Sequence, residues 1–159
     1  MKRFEARCQI QAQSEVAWRW LSDFARWPEW TPTVDAVDVL DPGETRVGTR
    51  VRLHQPRLRP AVWVVERWQP GRGFAWGSRR AGLRTRASHG LVPAPGGGCE
   101  VALEFTLEGL FAPFAARLGR DMIARYLALE AAGLKARCET GPRVATAPAP
   151  GKGGIHDAP

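Results

Sequence analysis

The sequence predicts an α+β protein in which one long C-terminal helix lies across a curved sheet. Apolar residues recur every three or four positions over residues 111–137, which is the period of one continuous helix face. Most of the preceding hundred residues alternate between apolar and polar, or form short apolar runs between turns, which indicates β-strands. Because a helix with one apolar face buries it against a partner, we expect the sheet to be that partner.

Length and cysteine usage bound the class of protein. With 159 residues, 44% of them hydrophobic, the chain can fold as one domain around its own core. The three cysteines, Cys8, Cys99 and Cys138, form no CxxC pair and no Cys/His spacing typical of zinc, so we expect reduced thiols. No apolar run has the length of a signal peptide or of a membrane helix, which needs about 20 residues. These observations predict a cytoplasmic protein without a membrane span.

The net charge is strongly positive, at +7, but a positive charge does not by itself indicate an anionic partner. Of the 23 basic residues all but three are arginine, and Gly, Ala and Pro are also abundant, a joint bias that a GC-rich coding sequence would produce. Residues 46–86 are more informative, because they hold eleven arginines and one acid, Glu66. No RNP-type aromatic pattern, GXXG clamp or contiguous basic run accompanies them, which disfavours nucleic acid as a partner.

The N-terminal third predicts one strand and two short helices. Residues 3–12 alternate strictly, so they form a first strand that places Cys8, as a small buried thiol, on its inner face. Ser14 is the expected N-cap of the first helix, and Asp23 of a second one that Pro28 interrupts. Four of the seven tryptophans fall in this helical elbow, at Trp18, Trp20, Trp27 and Trp30.

Two stretches carry a resemblance to a known family. They are Ala17-Trp18-Arg19-Trp20-Leu21-Ser22-Asp23-Phe24, followed by Trp27-Pro28-Glu29-Trp30 and Pro32, and the closing Leu129-Glu130-Ala131-Ala132-Gly133-Leu134-Lys135-Ala136-Arg137. Both resemble the polyketide cyclase/dehydrase and lipid-transport branch of the START-like (SRPBCC) superfamily, over roughly residues 3–139. The resemblance implies a Bet v 1-like helix-grip fold, in which a seven-stranded antiparallel sheet wraps around the last helix and encloses an apolar cavity. It does not fix the function, because the superfamily includes binding proteins, cyclases, hydroxylase components and co-chaperone-like modules.

Three strands are predicted in the middle of the chain, at residues 34–40, 47–54 and 61–68. The last is apolar on both faces, with Trp63 and Val65 on one and Val62, Val64 and Trp68 on the other, so its inner face stays open. A turn at residues 70–73 then leads into a fifth strand, where Phe74, Trp76 and Ser78 share a side.

The sixth and seventh strands flank the turn at residues 93–98, and their facing can be argued. Alternation places Val101, Leu103, Phe105 and Leu107 toward the helix. Pairing about the turn then puts Thr85, Ala87, His89 and Leu91 on the same inner face. The same register sends Arg84, Arg86 and Ser88 outward, where the arginines lie across from or diagonal to Glu104 and Glu108.

The long helix is predicted over residues 111–137, with Pro113 in its first turn. Its apolar stripe is expected to comprise Phe111, Phe114, Leu118, Met122, Tyr126, Leu129, Gly133 and Ala136. The domain therefore spans residues 1–139, and the Ala-, Pro- and Gly-rich residues 140–159 are expected to form a flexible tail.

Seven residues are candidates for the lining of a cavity. They are Trp30, Trp63, Trp76, His89, Phe105, Met122 and Tyr126, with Trp30 at the mouth. His89 and Tyr126 are also the catalytic candidates, because an inward imidazole can move a proton and a phenol can donate a hydrogen bond. The alternative is a solid core in which His89 bonds a backbone carbonyl or Tyr126. No GxSxG, P-loop, HExxH or dinucleotide motif is present and the three histidines are scattered, so we expect no cofactor and no metal.

Three functions follow as hypotheses. The first is binding, for transport or sequestration, of a small hydrophobic molecule such as a lipid, polyketide or aromatic, with His89, Tyr126 or a rim arginine orienting its polar end. The second is a polyketide cyclase or dehydratase, with His89 as base and Tyr126 as donor to an enolate; whether the chain is an enzyme stays open. The third is a basic START-like module that docks on RNA, the ribosome or a protein partner. The oligomeric state is not indicated.

Overall fold

The computed structural model describes residues 1–140. In chain order its elements are β1 (Lys2–Ile10), α1 (Ser14–Ser22), a 3₁₀ helix (Phe24–Glu29), β2 (Ala36–Val39), β3 (Arg50–His54), β4 (Ala61–Gln69), β5 (Gly73–Arg80), β6 (Leu83–Pro93), β7 (Cys99–Glu108) and α2 (Ala112–Glu139). Every predicted strand and helix is present, although β2 and β3 are shorter than predicted. The predicted tail lies outside the described residues, apart from Thr140.

The seven strands form one antiparallel sheet in the order β1-β7-β6-β5-β4-β3-β2. Helix α2 lies across the concave face, where it packs on β1 and β7, and α1 and the 3₁₀ helix close one end. The α+β class and the helix-grip arrangement are therefore confirmed. A hairpin-rich antiparallel sheet of this kind curves readily, which leaves a hollow for the helix.

The register of β6 and β7 is the one that the alternation predicts. Thr85 pairs with Leu107, Ala87 with Phe105, His89 with Leu103 and Leu91 with Val101. The turn between the strands is closed by the Ala94 N–H, which donates to the Gly98 carbonyl at 2.8 Å. Because the side-chain period of a strand is two, this one turn places all four pairs on the concave face. On β1 the same alternation leaves Cys8 half-buried against the core.

The inner face of β4 carries Trp63 and Val65, and a bulge then brings Trp68 to the same side. Trp63 and Val65 are buried, whereas Val62 and Val64 are exposed. The register with β5 shifts between Val65 and Arg67, which inserts Glu66 as an extra residue. The insertion reverses the alternation, so Trp68 returns to the inner side and its ring lies 4.9 Å from that of Trp18.

The predicted apolar stripe of α2 is wrong in phase by about one residue. Phe111, Phe114, Leu118, Met122 and Ala136 are exposed. The buried helix residues are Ala112, Ala116, Leu127, Ala131, Leu134 and Cys138. In the first half of α2, alanines face the sheet and the large apolar side chains face solvent. The prediction had assumed that the largest apolar side chains of the helix would be the buried ones.

The predicted helix caps also need correction. Gln13 occupies the N-cap position of α1, and Ser14 is the first helical residue and is buried. Asp23 does precede the 3₁₀ helix, but neither Gln13 nor Asp23 makes a side-chain capping bond. Both helices are instead held by packing of Leu21, Phe24 and neighbouring residues on the core.

On the convex face the arginines of β6 find carboxylate partners. Arg84 lies 2.9 Å from Glu66 and 4.0 Å from Glu108, and Arg86 lies 3.3 Å from Glu66. Arg84 thus meets Glu108 as predicted, while Glu66, its nearer partner, was not foreseen. Glu104 pairs with Arg3 of β1 at 3.6 Å instead. These exposed pairs contribute little to stability, because solvent screens the attraction and both long side chains lose conformational freedom.

Candidate functional site: an apolar cavity under the long helix

A cavity of about 330 Å³ lies between the concave face of the sheet and residues 115–130 of α2. Its wall is mainly apolar, and includes Leu53, Trp63, Trp76, Phe105, Ile123 and Leu127. Cavities of this size and composition accommodate small organic molecules. The interior is therefore not packed solid.

Small residues explain why the space exists. Ala115 and Gly119 of α2 face Ala61 and Ala87 of the sheet across the cavity, and all four line it. The large side chains at this end of the helix, such as Phe114, are exposed on its other side. The cavity is thus a direct consequence of the helix phase, because the reverse orientation would fill it with Phe and Leu side chains.

A histidine–carboxylate pair lies in the most buried part of the wall. His89 Nε2 is 2.7 Å from Glu130 Oε1, and the two side chains are 4% and 13% exposed. The imidazole stacks on Phe74 with ring centroids 4.4 Å apart and an interplanar angle of 14°. The edges of Trp27 and Trp76 lie on its other sides, at centroid distances of 5.4 and 5.7 Å. The ring is therefore held in one orientation and shielded from solvent.

Two polar groups of the wall lack a partner among residues 1–140. They are His89 Nδ1 and the indole N–H of Trp63, both fully buried. Buried polar groups normally form hydrogen bonds, and leaving one unpaired costs about 1–3 kcal/mol. A ligand that carries an oxygen could bond to these groups, so the apolar wall has polar positions that can orient a guest.

The mouth of the cavity is formed by the β3–β4 loop, the end of β5 and the middle of α2. Leu58 and Met122 line the cavity yet are 39% and 38% exposed, so they mark where it opens. The Tyr126 hydroxyl donates to the Pro56 carbonyl at 2.7 Å and ties the loop to the helix. Arg59 and Arg80 also line the wall, and the Arg80 guanidinium donates to the Arg59 carbonyl at 3.3 Å. The mouth is therefore cationic.

Six of the seven predicted cavity residues line this cavity: Trp63, Trp76, His89, Phe105, Met122 and Tyr126. Trp30 does not, contrary to the prediction. It is 6% exposed and packs on Trp27 at a centroid distance of 5.2 Å, because the 3₁₀ helix turns it into the core. His89 and Tyr126 are not bonded to each other, and each has found a different partner.

Glu130 lines the cavity and bonds His89, but the sequence analysis did not include it among the candidate residues. A signal was present, because Glu130 follows Tyr126 by four residues and Ile123 by seven, the spacing of one helix face. Within residues 1–140 no group of three or more His, Cys, Asp or Glu side chains is placed to hold a metal ion. No helix in this part of the chain is long and apolar enough to cross a membrane.

Comparison with known proteins agrees with this architecture. The model of a family described as polyketide cyclase / dehydrase and lipid transport matches residues 1–139. No curated protein matches the chain at a significant level.

Solved structures share the fold at low sequence identity. An aromatase/cyclase, ZhuI, from Streptomyces sp. R1128 is 16% identical, with a TM-score of 0.70 over 91% of this chain and 98% of that one. A START superfamily protein from Mycobacterium smegmatis is 16% identical, with a TM-score of 0.64 over 86% and 97%. A protein from Thermus thermophilus is 20% identical, with a TM-score of 0.69 over 86% and 97%. At these identities the likeness extends to the fold alone.

Proposed function

Because the chain belongs to the polyketide cyclase / dehydrase and lipid transport family, within the START-like superfamily, we propose that it binds one small, mainly apolar molecule under α2. The observation that carries the proposal is the open, apolar cavity of about 330 Å³. A lipid, a polyketide or an aromatic compound of suitable size fits this description. Binding, for transport or sequestration, requires no covalent chemistry.

The physical basis of affinity is burial of ligand carbon. Removing about 200 Å² of apolar ligand surface from water contributes about 5 kcal/mol, before the cost of association is subtracted. The cavity is largely formed in advance, since Trp63 and Trp76 pack on each other at a centroid distance of 5.6 Å. Little side-chain ordering is therefore needed when the ligand enters.

The polar groups of the wall define the orientation that we propose. A carbonyl or hydroxyl oxygen at the inner end would accept from the Trp63 N–H, whose partner is missing among the described residues. An anionic group at the outer end would meet Arg59 and Arg80. The preferred ligand is thus an amphipathic acid with an oxygen function buried at its other end.

The experiment uses the fluorescence of tryptophan, because Trp27, Trp63 and Trp76 line the cavity. Titration with anilinonaphthalene sulfonate, an aromatic anion, should quench this emission and saturate at one molecule per chain. A variant, Trp63→Phe, keeps an aromatic ring, although a smaller one, and loses the N–H, and should weaken binding of carbonyl-bearing probes. Native mass spectrometry of the purified protein then identifies any co-purifying compound. Absence of saturable probe binding would contradict the proposal.

A second candidate is a cyclase or dehydratase acting on a poly-β-ketone, and the His89–Glu130 pair is the observation that favours it. An imidazole could remove a proton from an activated methylene, while the carboxylate stabilises the resulting imidazolium. The enolate oxygen would need a donor, and the Trp63 N–H is free for this role among the described residues, whereas the Tyr126 hydroxyl is bonded to the Pro56 carbonyl. His89→Ala should abolish turnover and retain probe binding. Unchanged turnover would remove His89 as the base.

A further inference from the structure

The first half of α2 carries an apolar surface that the described part of the domain does not cover. Its members, which we call the outer stripe, are Leu110, Phe111, Phe114, Leu118 and Met122, and they are 83%, 53%, 66%, 72% and 38% exposed. Phe111, Phe114, Leu118 and Met122 follow one another at spacings of three or four residues, which places them along one side of the helix, and Leu110 precedes them in the turn before it. Large apolar side chains exposed as a contiguous group are typical of an interaction site.

Six exposed arginines lie on the three elements that meet at the cavity mouth. They are Arg57 and Arg59 in the β3–β4 loop, Arg79 and Arg80 at the end of β5, and Arg117 and Arg125 on α2. The elements are adjacent, because Arg59, Arg80 and Met122 line one cavity, and because a Cβ at Gly82 would touch the Phe111 ring.

These six arginines have no carboxylate partner. None of them forms an ion pair with a carboxylate of residues 1–140, whereas Arg7, Arg26, Arg50, Arg84 and Arg137 all do. Arg19 and Arg46, on other elements, share this property and therefore serve as controls below. Asp121 is the one acid on α2 within this region. The outer stripe therefore lies in a field of positive charge that the described residues leave uncompensated.

We propose that this surface docks on an anionic lipid bilayer. The outer stripe would enter the boundary between headgroups and acyl chains, and the six arginines would lie at the lipid phosphates, which is how basic amphipathic helices bind membranes. Leu58 and Met122 belong to both the cavity wall and the exposed surface, so docking places the cavity mouth on the bilayer. An apolar molecule then passes between bilayer and cavity without crossing water.

The charge pattern argues against a second copy as the occupant. A symmetric dimer through the outer stripe would bring both sets of arginines together, with only the two copies of Asp121 to offset them. A bilayer that contains anionic lipid supplies both the apolar phase and the negative charge. Docking does not depend on the proposed ligand, since it is measured on vesicles without cargo.

The test is flotation of the full chain with vesicles. We expect strong binding to phosphatidylcholine vesicles that contain about one third phosphatidylglycerol, and weak binding to phosphatidylcholine alone. Phe114→Ser with Leu118→Ser should lower the partition coefficient at least about tenfold. The matched control is Val47→Ser with Val92→Ser, which removes side chains that are 61% and 57% exposed outside the outer stripe. It should bind as the wild type does.

Charge is tested separately. Arg117→Glu with Arg125→Glu should weaken the preference for anionic vesicles, and the matched control Arg19→Glu with Arg46→Glu, exposed arginines elsewhere, should retain it. All of these side chains are exposed, so circular dichroism should show unchanged folding.

Docking on a bilayer would be disproved if the wild type did not float with anionic vesicles, or if the Phe114/Leu118 variant floated as well as the wild type. If the wild type did not float but formed a dimer or a complex with an acidic protein that the Phe114/Leu118 variant disrupts, the outer stripe would be a protein interface instead.

Discussion

His89 Nε2 lies 2.7 Å from Glu130 Oε1, and this bond joins β6 of the sheet to the middle of α2 beneath the cavity. The two residues are 41 positions apart in the chain, so the bond depends on the helix crossing the sheet at this point. It fixes the orientation of the imidazole and compensates a buried carboxylate. This contact therefore links the sheet to the long helix within the wall of the cavity.

Glu130→Ala should destabilise the domain by about 1–3 kcal/mol, because it leaves His89 buried without its partner. Glu130→Gln keeps a hydrogen-bonding group at the same position and should cost less. Urea unfolding followed by tryptophan fluorescence measures both. Glu44→Ala, at an exposed loop position, is the control and should stay within about 0.5 kcal/mol of the wild type. Equal stability of Glu130→Ala and wild type would show that the bond contributes nothing.

Ala115→Leu should fill part of the cavity and weaken binding of anilinonaphthalene sulfonate, because Ala115 lines the wall on the helix side. Added side-chain volume competes directly with the guest, and we expect a loss of about tenfold or more. Ala124→Leu places the same side chain on an exposed face of α2 and should leave binding unchanged. If both variants bind equally, the probe occupies another site.

Two glycines of α2 should respond in opposite directions to alanine. A Cβ at Gly133 would collide with the Trp30 carbonyl oxygen, since α2 crosses the elbow closely there, so Gly133→Ala should destabilise by roughly 1–3 kcal/mol. A Cβ at Gly119 meets only the Ile123 side chain, at 3.5 Å, so Gly119→Ala should stabilise by up to about 1 kcal/mol through helix propensity. Thermal unfolding of both variants tests the crossing, and a stabilised Gly133→Ala would disprove it.

Asp41→Asn should reduce stability at neutral pH but not in strong acid. The Arg50 guanidinium and the Arg50 N–H, 2.8 and 2.7 Å from the Asp41 carboxylate, lower its pKa from 3.8 to about 2. A lowered pKa stabilises the folded state above pH 3.8, and this contribution is lost as the pH falls through about 2.

Melting temperatures measured between pH 7 and pH 1 on the wild type and on Asp41→Asn check this sign. Their difference should be constant above about pH 5, should shrink between about pH 5 and pH 2, and should approach zero at about pH 1. Asp35→Asn serves as a control, because the Asp35 side chain is exposed and forms no ion pair with residues 1–140. A difference for Asp41→Asn that is as large at about pH 1 as at pH 7 would contradict the assignment to the Arg50 contact.

One hypothesis stays a prediction: that the chain is a basic module that docks on RNA, the ribosome or a protein partner. Salt dependence separates it from the cavity proposal, because phosphate contacts weaken steeply as salt rises, whereas retention of an apolar guest does not. The variant with both α2 arginines of the vesicle experiments changed to glutamate also serves this question, once its binding to a partner is measured at low and high salt.

Local patterns in the chain were sufficient for the element order, the register of β6 with β7 and six residues of the cavity wall. Strict alternation around the turn at residues 93–98 places His89 and Phe105 on the concave face, because a strand has only two faces and one turn relates them. The bulge at Glu66 was not recoverable in this way. It adds one residue to an otherwise regular pattern and depends on pairing with β5.

Tertiary packing alone decided the rotation of α2 and the partner of His89. The helix carries apolar residues on more than one face, so periodicity alone was compatible with several rotations of the helix about its axis. The large side chains of the outer stripe favoured a rotation that the structure does not have. The close approach at Trp30 and Gly133 selects the observed phase, which turns Ala115 and Gly119 toward the sheet and Glu130 toward His89. Sequence spacing shows which residues share a face of a helix, whereas the rotation of the helix depends on the surface against which it packs.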